Sequence, residues 1–227
     1  MSNVEAWNSK GHQTVVEIIY YKSDFGTQSK LNLTLLKEGA VAPDLVFHDV
    51  VKHHYPPSYD LAQKWLKGAE NNYTLGNYNK ASYSFGVAAH YISDSFVAPH
   101  YISKEPSSLH SEFERLSNYS FKIDCYKNDV NLNSSLFQAS KNKEDWLNWT
   151  LTKNSGIPKR AYKDAVNLTS LVFLDTFNAS CNNFETEIVK QNFRLNNKII
   201  IFFSLITISY FSFILNKKYK INKRIKF

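Results

Sequence analysis

Residues 78–95 read YNKASYSFGVAAHYISDS. Phe85, Val87, Ala88, Ala89, Tyr91 and Ile92 leave almost no polar face at helical spacing, so a helix over about 76–95 is expected to be the buried centre of the domain. The same helix carries His90 and Asp94. Side chains four residues apart share one helix face and can meet one ion. A carboxylate inside an apolar helix needs a compensating partner, and a cation supplies one.

Further along the chain, His100 comes six residues after Asp94, and His110 and Glu114 repeat the four-residue spacing. The whole pattern is H-x3-D-x5-H-x9-H-x3-E. A single H-x3-D pair is common in helical cores, but two such pairs around a third histidine point to metal ligation. Imidazole and carboxylate suit zinc, with no thiolate required. Towards the N-terminus, Trp7 and His12 open a first helix in AWNSKGHQTVVEII, Asp44 sits in GAVAPDL, and HHYPP occupies 53–57. Five of the seven histidines therefore fall where one site can gather them. His48 reads as a surface loop residue, and His53 and His54 are equivalent on chemistry alone.

The rest of the chain agrees with an all-α domain. Among 227 residues there are 7 Gly and 6 Pro, few for the many turns of a sandwich or barrel. An apolar share of 43% is enough for a core. Helices are expected over 11–22, over 27–38 with an end near Gly39, over 58–69, from Ser107 or Ser108, over 158–177 and over 183–195. An ordered loop is expected over 40–57, around Pro43, Pro56 and Pro57. Residues 120–155 are polar and carry no clear period. Two cysteines, Cys125 and Cys181, exclude a disulfide framework and a Cys-rich zinc module.

Residues 199–215, IIIFFSLITISYFSFIL, form seventeen uncharged residues bracketed by Lys198 and the Lys217/Lys218 pair. As a helix they span about 26 Å, enough for a bilayer core. Residues 216–227 add Lys217, Lys218, Lys220, Lys223, Arg224 and Lys226 and no acid, so the tail carries +6 of a net +7. The part before it is nearly neutral, which excludes a broad basic nucleic-acid surface. The positive-inside rule places the tail in the cytoplasm and the domain outside. Sequons at Asn32, Asn72, Asn118, Asn133, Asn148, Asn167 and Asn178 fit an exported glycoprotein. MSNVEAW has no apolar signal region. The expectation is that an upstream signal precedes it; insertion by the tail is the alternative.

From Trp7 to Glu114 the chain resembles the zinc-dependent phospholipase C family, whose relatives include zinc-dependent single-strand nucleases and the catalytic domain of glycosylphosphatidylinositol-specific phospholipase D. The 90–114 block carries the most specific part of the likeness. The resemblance implies an all-α domain holding three zinc ions in a cleft. It implies one zinc on the amino group and carbonyl of Trp7, with His12 and Asp94; a second on Asp44, His54, His90 and Asp94; and a third on His100, His110 and Glu114. His54 is preferred to His53 because the family's ligand precedes an aromatic, here Tyr55. Asp44 is the implied general base. Trp7 follows six residues, so its amino group is free only after cleavage between Ala6 and Trp7. The interval between His100 and His110 is short for the family.

The domain organisation that follows is a residual segment at 1–6, a catalytic domain at 7–195, a membrane helix at 198–215 and a basic tail at 216–227. Glu114 in the last pair favours a phospholipase C-like phosphodiester hydrolase, acting on phospholipid, over a nuclease or phosphatase on the same scaffold. A structural zinc protein in the membrane is the non-enzymatic alternative.

Overall fold

Asp24 and Asn32 set where the first helices start. Asp24 accepts from the Thr27 amide (3.0 Å) and Asn32 from the Leu35 amide (3.2 Å), the side-chain caps that satisfy free N–H groups at a helix start. They divide the chain into α1 (Ser9–Lys22), α2 (Phe25–Lys30) and α3 (Leu33–Leu45). The computed structural model describes residues 9–49, 51–116 and 130–182, all within one compact unit, Met1–Asn183. Then follow α4 (Pro57–Thr74), α5 (Tyr78–Asp94), a 3-10 turn (Ala98–Tyr101) and α6 (Ser107–Arg115). After the break come α7 (Leu132–Ala139), a second 3-10 turn (Ser140–Asn142), α8 (Lys143–Thr152) and α9 (Gly156–Thr176). The described residues contain no strand, only one isolated bridge between Ser23 and Cys181. The all-α expectation holds.

The central position expected for α5 also holds. It packs chiefly on α3 and α4 and touches α9 and α1. Every residue from Ser84 to Asp94 is buried. Phe85 meets Phe173 edge-on at 4.9 Å and Phe177 at 5.3 Å, tying α5 to α9. A second apolar cluster of Ala98, Phe113, Trp146, Trp149 and Ile157 sits behind α6. It joins α6 to α8 and to the start of α9.

Two expectations about the early chain need correction. The helix placed over 27–38 is broken at Leu31 and Asn32, where the Asn32 cap restarts it and its own amide donates to Ser82 Oγ (2.9 Å). It does not end near Gly39. It continues through the buried Pro43 to Leu45, so the loop expected over 40–57 begins only at Val46. Gly39 suggests a helix stop, yet its role here is a close approach. A Cβ at Gly39 would lie 2.2 Å from the Tyr83 carbonyl oxygen, and one at Gly86 would lie 2.2 Å from the Leu36 carbonyl oxygen. The two glycines let the backbones of α3 and α5 touch, bringing Asp44 beside His90.

Cys181 is disulfide-bonded; Cys125 lies outside the described residues. Also outside them are Trp7, the helix expected over 183–195, the apolar stretch 199–215 and the basic tail. No helix among the described residues is long and apolar enough to cross a membrane.

Candidate metal centre

One end of α5 collects ligand-type side chains from six segments. α1 supplies His12, the last turn of α3 supplies Asp44, and the loop before α4 supplies His53. The last turn of α5 supplies His90 and Asp94, the 3-10 turn His100, and α6 His110 and Glu114. Four overlapping groups have ligand atoms all within 4.8 Å of one another: His12/His90/Asp94, Asp44/His53/His90, His53/Asp94/His100 and His100/His110/Glu114. They form a continuous array from His12 to Glu114, with Asp94 fully buried at its centre.

His48 is exposed in a left-handed turn (φ 50°), as expected of a surface loop residue. The structure brings His53, and not His54, into the array. The His54 ring lies against Tyr101 instead, with centroids 5.6 Å apart. The choice of His54 is therefore corrected, for a local reason. Asp49 Oδ1 accepts from the amides of Val51 (3.2 Å) and Lys52 (3.1 Å), curling the loop inward. The Asp49 carbonyl then accepts from His53 Nε2, and Tyr91 anchors the turn by donating to Asp49 Oδ2 (3.0 Å). The aromatic after His54 did not signal this; the acid four residues before His53 is the feature that places the ring. Tyr91 is a buried core residue, as expected for the central helix, and carries this hydrogen bond.

Outer hydrogen bonds fix the imidazole tautomers. A carbonyl oxygen only accepts, so His90 donates from Nδ1 to Ala40 O (2.9 Å) and His100 from Nδ1 to Asp94 O (3.2 Å). Ser93 spends its single hydroxyl proton on His90 O (3.0 Å), so it accepts from His12 Nδ1 (3.1 Å). His53 donates from Nε2 to Asp49 O. His12, His90 and His100 thus turn Nε2 inward, and His53 turns Nδ1 inward. Those inner nitrogens crowd one carboxylate. His12 Nε2 lies 3.2 Å from Asp94 Oδ1; His90 Nε2 lies 3.2 Å and His53 Nδ1 2.6 Å from Asp94 Oδ2. His90 Nε2 and His53 Nδ1 are 3.4 Å from each other. Asp44 Oδ1 stands 3.5 Å from His90 Nε2 and 3.6 Å from His53 Nε2.

The protein's own charges drive the titrating groups apart. Burial alone raises a carboxyl, but the neighbouring His12, His90 and His100 hold Asp94 well below its usual range. Burial pushes His100 down to about 3, and burial together with His12 lowers His90. His53 and His110 are also buried, which lowers them, yet carboxylates on both overcome that and raise each to about 9. For His53 these are Asp94 and Asp44; for His110 they are Glu114 and Glu105.

A family model described as zinc dependent phospholipase C matches residues 12–164, more than half of the chain. The chain belongs to the zinc-dependent phospholipase C family. The match takes in every member of the array from His12 to Glu114. No curated protein matches the chain.

The residues present fit the zinc that this family uses. Four imidazoles turn an inner nitrogen toward shared buried carboxylates, and their outer nitrogens are already committed. A proton can bridge one nitrogen–carboxylate pair, but several such pairs packed side by side call for cations. Imidazole with carboxylate is a zinc donor set. Sequence reasoning missed two residues that act on the ligands, Asp49 and Ser93. Ser93 has no spacing signal, because it works through a hydrogen bond set by the fold; Asp49 is marked only by its four-residue distance from His53.

Proposed function

We propose that the chain is a zinc-dependent phosphodiester hydrolase that acts as a phospholipase C. The observation that carries this reading is the array centred on buried Asp94, inside a domain of the zinc-dependent phospholipase C family. Three zinc ions fit the donor sets: His12 with His90 or Asp94 at one end, Asp44, His53, His90 and Asp94 in the middle, and His100, His110 and Glu114 at the other end. Trp7, freed by cleavage after Ala6, would complete the first set.

Bound zinc supplies Lewis acidity toward a phosphoryl group and lowers the pKa of water. The chain's own residues do the rest. Asp94 holds the imidazoles of three segments in register. Asp44 is the one acid of the central sets whose side chain reaches solvent (19% exposed), so its carboxylate oxygen is the place to accept a proton from water entering the cleft. Asp94 is sealed from solvent, so it holds metal and imidazoles in place and takes no proton from entering water.

The near-neutral domain favours a lipid phosphodiester over nucleic acid, whose binding rests on many phosphate contacts. The zinc-loaded protein, with Trp7 as its first residue, should hydrolyse phospholipid or a soluble choline-phosphate ester faster than single-stranded DNA. A chelator should abolish the activity and zinc restore it. Rapid DNA cleavage with negligible ester hydrolysis would move the chain to the nuclease branch; three bound zinc ions with neither activity would favour a structural role.

We also propose that residues 198–215 anchor the domain outside the cell membrane and that the six basic residues after Leu215 stay in the cytoplasm. The anchor would hold the cleft at high effective concentration of lipid. Protease added to intact cells should remove the domain and spare the tail; a protected domain reverses the topology.

A further inference from the structure

We propose that Glu105 is a positioning residue that holds His110 for zinc, an inference resting on the zinc-hydrolase reading above. Glu105 Oε1 lies 2.9 Å from His110 Nδ1, and His110 Nε2 lies 2.7 Å from Glu114 Oε1. A carboxylate only accepts, so His110 donates from Nδ1 to Glu105 and that outer proton stays on the ring. The inner Nε2, which meets Glu114 here, is then the nitrogen whose proton gives way to a zinc ion in the His100/His110/Glu114 group.

The local chain explains how the carboxylate gets there. Only nine residues separate His100 from His110. The 3-10 turn closes with Ile102 N–H on Pro99 O (2.9 Å), Lys104 takes a left-handed conformation (φ 63°), and Pro106 is extended (φ −64°, ψ 121°). This tight path brings Glu105 back over the first turn of α6, within reach of a ring one turn further on. The short interval between His100 and His110 is what supplies the contact.

Glu105 differs from the other outer partners in charge. His90, His100 and His53 are held by backbone carbonyls and His12 by a serine hydroxyl, all neutral. Of these five rings, His110 is the one whose outer nitrogen is hydrogen-bonded to a carboxylate at 2.9 Å; at the His53 outer nitrogen the Asp44 carboxylate stands farther off, at 3.6 Å. Its zinc set contains two neutral imidazoles and one carboxylate, so zinc would leave a net positive group there. A carboxylate behind His110 offsets that charge and makes the ring a stronger donor, an arrangement worth about 10–100-fold in metal affinity.

The test is a zinc titration of the full chain against a chromogenic chelator, with the cobalt(II) absorption spectrum as a second readout. Glu105→Ala should weaken one zinc about 10–100-fold and shift one cobalt band, while the other ions bind as in wild type. Glu105→Gln keeps an oxygen acceptor for Nδ1–H and loses the charge, so it should fall between the two. The metal-free melting temperature should not move. Unchanged affinity and spectrum in Glu105→Ala would overturn the proposal. So would uniform loss of all zinc with a lowered metal-free melting temperature, which marks a merely structural role. Neither readout needs turnover: a chain that hydrolyses no phosphodiester but shows the one-site loss would sink the enzyme reading and leave this inference standing.

Discussion

Asp94→Asn is expected to strip most zinc from the central part of the array and to cut phosphodiester hydrolysis by more than about 100-fold, since loss of mere outer partners already costs about 10–100-fold. Asp94 is the one carboxylate that meets His12, His90 and His53 together. Asparagine keeps the volume but removes the charge that three imidazoles share. It also points an amide hydrogen at nitrogens whose outer partners have already set their tautomers. Zinc at His100, His110 and Glu114 should survive, so the variant should retain about one ion per chain, measured by atomic emission. His53→Ala should follow Asp94→Asn in direction, whereas His54→Ala should keep both metal and rate. Full zinc content in Asp94→Asn, or equal damage from His54→Ala, would contradict the ligand set.

Gly86→Ala is expected to damage the fold itself. The new methyl group would lie 2.2 Å from Leu36 O, 2.9 Å from Ala40 N and 2.9 Å from Gly39 Cα. All three are backbone atoms of α3 and cannot swing aside as a side chain can. α3 and α5 must separate, unpacking the fully buried Leu36, Ala40 and Phe85 and pulling Ala40 O from His90 Nδ1. Overpacking costs about 1–3 kcal/mol when side chains can adjust. Here the upper end or beyond is expected, a large part of a domain's total of about 5–15 kcal/mol. The metal-free melting temperature should fall by about 10 °C or more. A drop under about 2 °C would show that the helices do not depend on this contact.

The parts of the site that could be read from sequence are those set by helix period. His90/Asp94 and His110/Glu114 each lie four apart, so one helix turn puts both ligands on one face whatever surrounds it. His100 followed from its place six residues after Asp94, and His12 from the resemblance to the family. The misreadings came where a long-range contact overrides local preference. Gly39 and Pro43 both suggest that a helix ends, yet α3 runs past them because its backbone is pressed against Gly86. Asp44 thereby moves from an expected loop to the last turn of a helix. His53 and His54 are indistinguishable until the Asp49 turn is in place, and that turn rests on a hydroxyl from Tyr91 on α5. The polar stretch 120–155 hid α7 and α8, because the Trp146 and Trp149 pair that buries α8 is only two residues wide. Trp7 and the C-terminal apolar stretch lie outside the described residues, and their roles rest on sequence.

The central claim is that this array, and not another part of the chain, binds catalytic zinc. A zinc-edge anomalous difference map from crystals of the protein tests it most directly. The predicted result is density within about 2.0–2.2 Å of His53 Nδ1, His90 Nε2 and Asp94, with separate density among His100, His110 and Glu114. Density held by His54, or none beside Asp94 in zinc-saturated crystals, would contradict it.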